Sequence, residues 1–138
     1  MCKECVRLER ISNSHAGPSN RQWAGCGEIS GIFWSRILKE ARRRDIPVKI
    51  TIEYIWYLFI KQRRKCALSG EDIEVAGVGV SAQDRRNRRT ASLDRIDSSK
   101  GYFEDNVQWV HKDVNIMKMA FSQERYIEVC KKVAMVYS

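Results

Sequence analysis

Three small polar residues fall at the junctions of one patterned stretch, residues 90–119: Asp94, Asn106 and Asn115. Asp94 comes late in a first alternating segment, Asn106 opens a second apolar segment, and Asn115 lies inside a helical pattern. Their side chains carry carboxylate and amide oxygens, which are strong hydrogen-bond acceptors. This stretch is therefore the first candidate for a site with chemistry.

The elements that would hold these residues follow from the pattern of the same stretch. Residues 91–96 alternate between apolar and polar and predict a short strand. Residues 98–101 predict a turn, and the apolar run at residues 107–110 predicts a second strand. The apolar residues that follow recur at helical spacing: Val114, Met117 and Phe121. The stretch therefore predicts a strand, a loop, a strand and a helix.

This stretch resembles the HNH endonucleases, members of the His-Me finger (ββα-metal) nucleases, and in particular their small phage-type and homing-type members. The sequence NVQWV at residues 106–110 resembles the family's N-L-x-x-L strand. The sequence NIMK at residues 115–118 resembles its N-x-x-K helix. The sequence LDRI at residues 93–96 occupies the place of the family's D-H-I, and looser similarity runs over residues 25–133.

The resemblance implies an α+β fold in which a ββα-metal hairpin packs against several helices. It also implies a divalent-metal-dependent endonuclease that hydrolyses phosphodiester bonds in DNA. We expect double-stranded DNA as the partner, Mg²⁺ or Mn²⁺ as the cofactor, and a phage or mobile-element origin. Asp94 would bind the metal from the strand and Asn115 from the helix. Asn106 would hold the loop through hydrogen bonds to its backbone.

One residue departs from the family pattern, because Arg95 stands where the family has its general-base histidine. Arginine has a pKa above about 12 and cannot take a proton from water, although it could hold a phosphate through two hydrogen bonds. His111, at the strand–helix junction of the same hairpin, is the first substitute for the base, and Asp97 is the second. The alternative for His111 is a solvated residue in the first turn of the helix. Without a base, the protein would be a nucleic-acid-binding protein on an HNH scaffold that has lost catalysis.

Length, composition and charge set limits on the whole chain. It has 138 residues, of which 43% are hydrophobic, and this is enough for a core and argues against global disorder. The 25 Lys and Arg against 17 Asp and Glu give a formal net charge of +8, which favours nucleic acid as a partner, although solubility alone could explain it. No stretch is long and apolar enough to cross a bilayer, and the N-terminus lacks the apolar segment of a signal peptide. We therefore expect no membrane partner and an intracellular location, in the bacterial cytoplasm if a phage encodes the chain.

Four residues near the N-terminus have the order and spacing of zinc ligands, C-x2-C-x9-H-x10-C: Cys2, Cys5, His15 and Cys26. Such a set can hold a structural Zn²⁺, and many HNH relatives carry a zinc ribbon. The usual CxxC hooks around the ββα helix are missing here, since His111 and Val114 occupy their places. If the first two cysteines bind nothing, they are exposed thiols. We assign residues 1–27 to a polar segment with this zinc knuckle and residues 28–138 to an HNH-like domain, with the ββα motif at 90–120.

Three further helices are predicted from caps and apolar periodicity. Ser30 caps the first helix, whose basic residues crowd its outer side and its end. Thr51 caps the second, which is the most apolar element and is expected to be the core helix under the ββα unit. Ser122 caps the last, which we expect to cover the core with Cys130 inside it. Residues 71–81 could form an additional small hairpin.

Basic residues beside the motif are candidate contacts to DNA phosphates. The sequence DRRNRR at residues 84–89 packs four arginines into five positions directly before the first predicted strand. A charge run is usually a solvated loop, but this placement favours a contact with the nucleic-acid backbone. The full set of expected contacts is Arg85, Arg86, Arg88, Arg89, Lys100 and Lys118. A third hypothesis, from another class, is a structural or assembly protein whose basic surface binds RNA or a partner protein.

Overall fold

The computed structural model describes residues 25–75 and 89–138, and in these ranges it contains four helices and one two-stranded sheet. The elements, in chain order, are α1 (Gly31–Arg43), α2 (Ile52–Lys61), β1 (Ala91–Arg95), a short 3-10 turn (Glu104–Asn106), β2 (Val107–His111), α3 (Lys112–Lys118) and α4 (Gln123–Tyr137). Helices around an antiparallel hairpin confirm the predicted α+β class. The strand–loop–strand–helix order expected for residues 90–119 is also present.

Side-chain caps start three of these helices at the predicted residues. Ser30, Thr51 and Ser122 each accept a hydrogen bond from the backbone N–H three residues later, at 3.0 to 3.2 Å. The first N–H groups of a helix have no partner within the helix, so each cap satisfies one donor that would otherwise need water. The local sequence therefore fixes where these helices begin.

The hairpin packs against α1 and α2 through one aromatic cluster. Trp109, in the middle of β2, is fully buried, and its indole N–H donates to the carbonyl of Ile55 in α2 at 2.8 Å. Phe33 of α1 stacks on Trp109 with the ring centroids 5.8 Å apart, and Phe59 of α2 meets it edge-on at 5.5 Å. Both geometries are favourable for aromatic pairs. α2 is therefore the core helix that the sequence predicts.

The pairing of the two strands decides which side chains share a face. β1 and β2 are antiparallel, with Leu93 opposite Trp109 and Asp94 opposite Gln108. Because successive side chains on a strand point to opposite faces, Leu93 and Trp109 face α1 and α2. Asp94 and Gln108 face α3, which Asp94 contacts through Lys118. The hairpin thus has an apolar face toward the core helices and a polar face toward α3.

The buried face of α3 is not an apolar stripe. Of the three residues at helical spacing, Val114 is buried, whereas Met117 and Phe121 are 57% and 56% exposed. The helix ends at Lys118, and Met119 then turns the chain with a φ of 49°. Val114 and Lys118, four residues apart, are the buried residues of α3. Helical spacing identified an apolar pattern, but a charged residue occupies the inner position.

The last helix also differs from the expectation. We expected α4 to cover the core with Cys130 buried in it, but no residue of α4 is buried and Cys130 is exposed. Tyr126, near the start of the helix, packs against the core as a partly buried residue. The prediction failed because periodicity shows that one face of a helix is apolar, whereas contact with the core depends on where the chain leads that helix.

Some predictions fall outside the described ranges. The hairpin expected at residues 71–81 is one of them, apart from its first five residues, where Asp72 forms an isolated bridge with Lys65. The division into residues 1–27 and 28–138 stays a prediction. Among the helices that the structure describes, none is long and apolar enough to cross a membrane.

Candidate active site

Asp94 and Lys118 form a buried ion pair at the centre of the ββα unit. Lys118 Nζ lies 2.8 Å from Asp94 Oδ2, and the two side chains are 1% and 5% exposed. Gln108 Nε2 donates to the same carboxylate oxygen at 3.0 Å and to Gln123 Oε1 at 2.8 Å. The strand pairing explains the hydrogen bond between Gln108 and Asp94, because Gln108 lies directly opposite Asp94 on the face toward α3.

The ammonium group of Lys118 has a partner for each of its three donors. Besides Asp94, it donates to the backbone carbonyls of Arg95 at 3.0 Å and of Ile96 at 3.2 Å. A buried ammonium without partners would cost several kcal/mol, so this full set of acceptors is what allows Lys118 to be buried. Our expectation that Lys118 contacts a DNA phosphate is not supported by this position, since the group lies inside the protein.

Asn115 lies beside the ion pair on the same face of the hairpin. Its Nδ2 donates to Ser92 Oγ at 2.7 Å. Ser92 and Asp94 are two residues apart on β1 and share a face, while Asn115 and Lys118 are three apart on α3 and share a face. The ββα unit therefore brings the two residues expected to bind metal, Asp94 and Asn115, to one groove between strand and helix.

The oxygens of this groove match a hard cation in type but are few in number. Asp94 Oδ1 and Asn115 Oδ1 accept no hydrogen bond from any residue that the structure describes. Mg²⁺ takes an octahedron of oxygens, so water and phosphate oxygens would have to complete its shell. Lys118 also balances the charge of the Asp94 carboxylate. Within residues 25–75 and 89–138, no group of three or more His, Cys, Asp or Glu side chains could hold a metal ion.

Asn106 holds the loop between the two strands. Its side chain is buried, and its Oδ1 accepts from the Asp97 N–H at 2.9 Å. Its Nδ2 donates to the carbonyls of Asp97 at 3.0 Å and of Gly101 at 2.8 Å. One buried amide at the end of the loop thus satisfies backbone groups at its start and in its middle. This fixes the chain just after β1, close to Asp94.

Arg95, whose side chain lies on the other face of β1, binds the backbone of the same loop. Its Nη1 donates to the carbonyls of Ser98 at 2.9 Å and of Lys100 at 2.8 Å, and its Cζ lies 5.5 Å from the ring centroid of Tyr102. In this arrangement the guanidinium binds protein carbonyls, and it has no lone pair with which to act as a base. The Lys100 side chain is exposed on the loop and stays a predicted phosphate contact.

His111 is the N-cap of α3 and does not lie in the groove. Its Nδ1 accepts from the Asp113 N–H at 3.1 Å. The lone pair of Nδ1 is used in this hydrogen bond, so it is not free to accept a proton from water. The alternation of β2 also directs His111 to the face opposite that of Gln108 and Asp94. The geometry therefore does not favour His111 as the base.

Asp97, the second candidate for the base, is exposed on the loop and is also engaged. Its Oδ1 accepts from Ser99 N at 2.9 Å and from Ser99 Oγ at 2.6 Å. These hydrogen bonds, together with the charges of Lys100 and Arg95, hold the pKa of Asp97 below its ordinary value. A carboxylate that is stabilised in its charged form is a weaker base. Neither substitute for the histidine of the family thus has a favourable geometry.

The remaining predicted site residues are only partly described. Cys26 is buried in the core cluster, and the other proposed ligands of zinc lie outside the described ranges: Cys2, Cys5 and His15. Three of the expected DNA contacts also lie outside: Arg85, Arg86 and Arg88. Arg89 is described, and its Cζ lies 5.3 Å from the ring centroid of Phe33. Burial, and then the charge of Arg36, lower the pKa of the Arg89 guanidinium.

Two polar residues of the groove, Gln108 and Ser92, were not among the predicted site residues. Gln108 is the single polar residue in the apolar segment VQWV, and such an interruption is a signal for a buried polar partner. Ser92 alternates in phase with Asp94 on β1, so the strand pattern already placed the two on one face. Lys118 was noted in the sequence, but as a contact to DNA instead of to Asp94.

The ββα unit packed on helices defines an HNH-like fold, and a comparison with solved structures agrees with this class. The structure described as "An extraordinary mechanism of DNA perturbation exhibited by the rare-cutting HNH restriction endonuclease PacI" is similar over 88% of this chain and 89% of its own, with a TM-score of 0.55 and 15% sequence identity. At this identity the likeness shows the fold alone. No family model and no curated protein matches the chain.

Proposed function

We propose that the protein is a divalent-metal-dependent endonuclease that hydrolyses phosphodiester bonds in double-stranded DNA. The observation that carries the proposal is the groove in which Asp94 of β1 and Asn115 of α3 share one face of an HNH-like ββα unit. The net charge of +8 supports a polyanionic substrate. The likeness of the motif to phage-type and homing-type HNH proteins supports a phage or mobile-element protein that acts in the cytoplasm of a bacterial host.

Each residue of the ββα unit has one task in this proposal. Asp94 and Asn115 would hold Mg²⁺ or Mn²⁺ through their Oδ1 atoms, and the cation, when bound, stabilises negative charge on the scissile phosphate and the leaving oxygen. Lys118 holds the Asp94 carboxylate in place and balances its charge when no substrate is present. Asn106 and Arg95 keep the loop after β1 in one conformation and so fix the position of Asp94.

A second function, a DNA-binding protein on an HNH scaffold that has lost catalysis, is favoured by a specific set of observations. Arg95, at the position of the family's base, binds loop carbonyls. The two alternative bases, His111 and Asp97, already accept hydrogen bonds within the protein. The third hypothesis, an assembly protein with a basic RNA- or protein-binding surface, gains no specific support from the part of the chain that the structure describes.

Cleavage of supercoiled plasmid in Mg²⁺, in Mn²⁺ and in EDTA tests the proposal. We expect cleavage with either metal and none in EDTA. Asn115→Ala is the sharpest variant, because its side chain makes one described hydrogen bond, to the partly exposed Ser92, and the fold should survive. Cleavage should fall by on the order of 10²-fold or more, as when one stabilising group is removed from an active site, while DNA affinity persists. Asp105→Asn, which changes an exposed carboxylate on the 3-10 turn, is the matched control.

The outcomes separate the two functions. Cleavage in EDTA, or a wild-type rate in Asn115→Ala, would contradict the assignment of the metal to the groove. No cleavage with any metal, together with intact DNA binding, would favour the second function.

Thermal unfolding with added Mg²⁺ gives a readout that does not depend on activity. Lys118 already balances Asp94, so metal-free protein should bind Mg²⁺ weakly unless DNA phosphate is present. We expect about 1 mM Mg²⁺ to raise the free energy of unfolding by less than about 0.4 kcal/mol, which corresponds to a dissociation constant above about 1 mM. A larger gain that Asn115→Ala retains would place the cation elsewhere.

A further inference from the structure

The described arginines differ in whether the protein supplies them with an anion. Arg64, for example, has the carboxylate of Glu28 at 2.8 Å. Arg36 and Arg89 form no hydrogen bond and no ion pair with any residue in the described ranges. An unpaired arginine is ordinary where water surrounds it. It is unusual where a second guanidinium is nearby and part of the water has been removed.

Arg89 is in that situation. Its Cζ lies 5.3 Å from the ring centroid of Phe33, which is itself stacked on the buried Trp109, so the guanidinium rests on a fixed surface. Arg36 lies three residues after Phe33 on α1, and its charge acts on Arg89 in addition to the larger effect of burial. The charge of Arg36 thus acts on a guanidinium that has lost part of its water, and an anion bound between the two would offset their repulsion.

We propose that Arg36 and Arg89 form a binding site for one backbone phosphate of DNA. Two guanidinium groups can hold the oxygens of a phosphodiester through charge-assisted hydrogen bonds. The site is separate from the groove, because β1 puts about 10 Å between Ala91 and Asp94 and Arg89 lies further back along the chain. The phosphate bound here is therefore not the one at Asp94. The inference rests on the proposed function in one respect, which is that DNA is the partner. It does not depend on whether the protein cleaves that DNA.

The surroundings of the pair favour a phosphodiester chain over a free anion. Lys39 is exposed three residues after Arg36, on the same side of α1. In the sequence, the arginine-rich residues 85–88 lead directly into Arg89. A chain of phosphates can use several cations along one surface, such as the described Arg36, Lys39 and Arg89, whereas a single free anion needs just one cluster.

Fluorescence anisotropy of a labelled DNA duplex with the full chain, over a series of NaCl concentrations, tests this site. Arg36→Gln and Arg89→Gln should each weaken binding and lower the slope of log K against log [NaCl] by about 0.9. Because both residues hold one phosphate, the double variant should lose little more than either single variant. Arg42→Gln, which neutralises an exposed arginine on a different side of α1, is the matched control and should change affinity less than either.

Two results would overturn the proposal. One is an unchanged salt slope in both single variants. The other is fully additive losses in the double variant, because additive losses mean two separate phosphates.

Sodium sulfate gives a readout without DNA. At an ionic strength matched with NaCl, it should raise the Tm of the wild type more than that of Arg36→Gln. If this sulfate effect is present but DNA affinity is unchanged in Arg36→Gln, the site takes free anions and the assignment to DNA is overturned. If Arg36→Gln weakens DNA binding but no metal gives cleavage, the phosphate site stands and the proposed endonuclease function fails.

Discussion

The two sides of the hairpin differ in how their charged side chains are paired. On the α3 side, Lys118 and Asp94 are both buried and lie 2.8 Å apart, so the fold supplies each charge with its partner. On the α1 side, Arg36 and Arg89 are both cations, and the described residues supply no anion to either. The first arrangement is complete without a ligand, whereas the second gains from binding one.

This difference separates two uses of a charged residue. Breaking a buried ion pair is costly because the remaining charge stays inside the protein, so such a pair holds the fold in one arrangement. A partly buried cation beside another cation is repelled in the free protein even when it lies over an aromatic ring, and an anion from outside would be a favourable partner. Residue type alone does not distinguish the two uses, since Lys118 and Arg89 both qualify as phosphate contacts in the sequence.

Replacing Lys118 by methionine should have the largest effect on stability. The substitution leaves the Asp94 carboxylate buried, with Gln108 as its remaining described donor. The free energy of unfolding, measured by urea denaturation, should fall by about 3–5 kcal/mol. Lys112→Met, at the exposed start of the same helix, is the control and should change it by less than about 0.5 kcal/mol.

A double variant identifies the cause of that loss. If the loss comes from an unpaired carboxylate, adding Asp94→Asn to Lys118→Met removes the buried charge, and the double variant should lose less than the sum of the two single variants. If Lys118→Met is as stable as the wild type, Lys118 does not hold Asp94 in solution. The contrast between the two sides of the hairpin would then be wrong.

Arg64 and Arg89 sharpen the comparison because both guanidiniums lie over an aromatic ring but only Arg64 has an anionic partner among the described residues. Both guanidiniums lie over aromatic rings, with Arg64 Cζ 5.4 Å from the centroid of Phe59 and Arg89 Cζ 5.3 Å from that of Phe33. Arg64 also binds both carboxylate oxygens of Glu28, at 2.8 and 2.9 Å. Arg64→Gln should lower the free energy of unfolding by about 1 kcal/mol and leave DNA affinity nearly unchanged. Arg89→Gln should change stability by less than about 0.5 kcal/mol and weaken DNA binding.

Urea denaturation gives the free energy of unfolding of each variant, and fluorescence anisotropy with a DNA duplex gives its DNA affinity. The charge change is the same in both, so any difference in DNA affinity reports position and not net charge. Equal losses of DNA affinity would show that binding follows the overall charge of the protein, and the proposed phosphate site would have no support.

The elements of the fold could be predicted from the sequence because their signals are local. The caps at Ser30 and Thr51 and the alternation in β1 depend on neighbours in the chain, and the structure contains them. The partner of a charged residue is not local. Lys118 meets Asp94 across 24 residues, and a lysine near the end of an exposed helix has the same local sequence signals whether it is buried or solvated.

The candidate site shows the same limit. His111 has the residue type and the place in the hairpin that a substitute base needs, but the strand register turns its side chain away from Asp94 and the helix cap occupies its Nδ1. A shift of one residue in register would reverse the face of every side chain in β2. Such outcomes depend on the pairing of two strands, which the sequence of one strand does not specify.

The smallest effect is expected at Arg36, and it has the opposite sign to the others. In the free protein Arg36 lies near Arg89 without an anion, so neutralising it should relieve repulsion. Arg36→Gln should raise the free energy of unfolding by about 0.2–0.5 kcal/mol at low salt, the usual size for a like-charge pair on a helix surface. The gain should shrink in about 0.5 M NaCl, because salt screens exposed charges. Arg42→Gln, in the last turn of α1, should show no gain, since a cation there interacts favourably with the helix dipole. A loss of stability in Arg36→Gln would mean that Arg36 has a partner in the folded protein, and the phosphate site would then lose its physical basis.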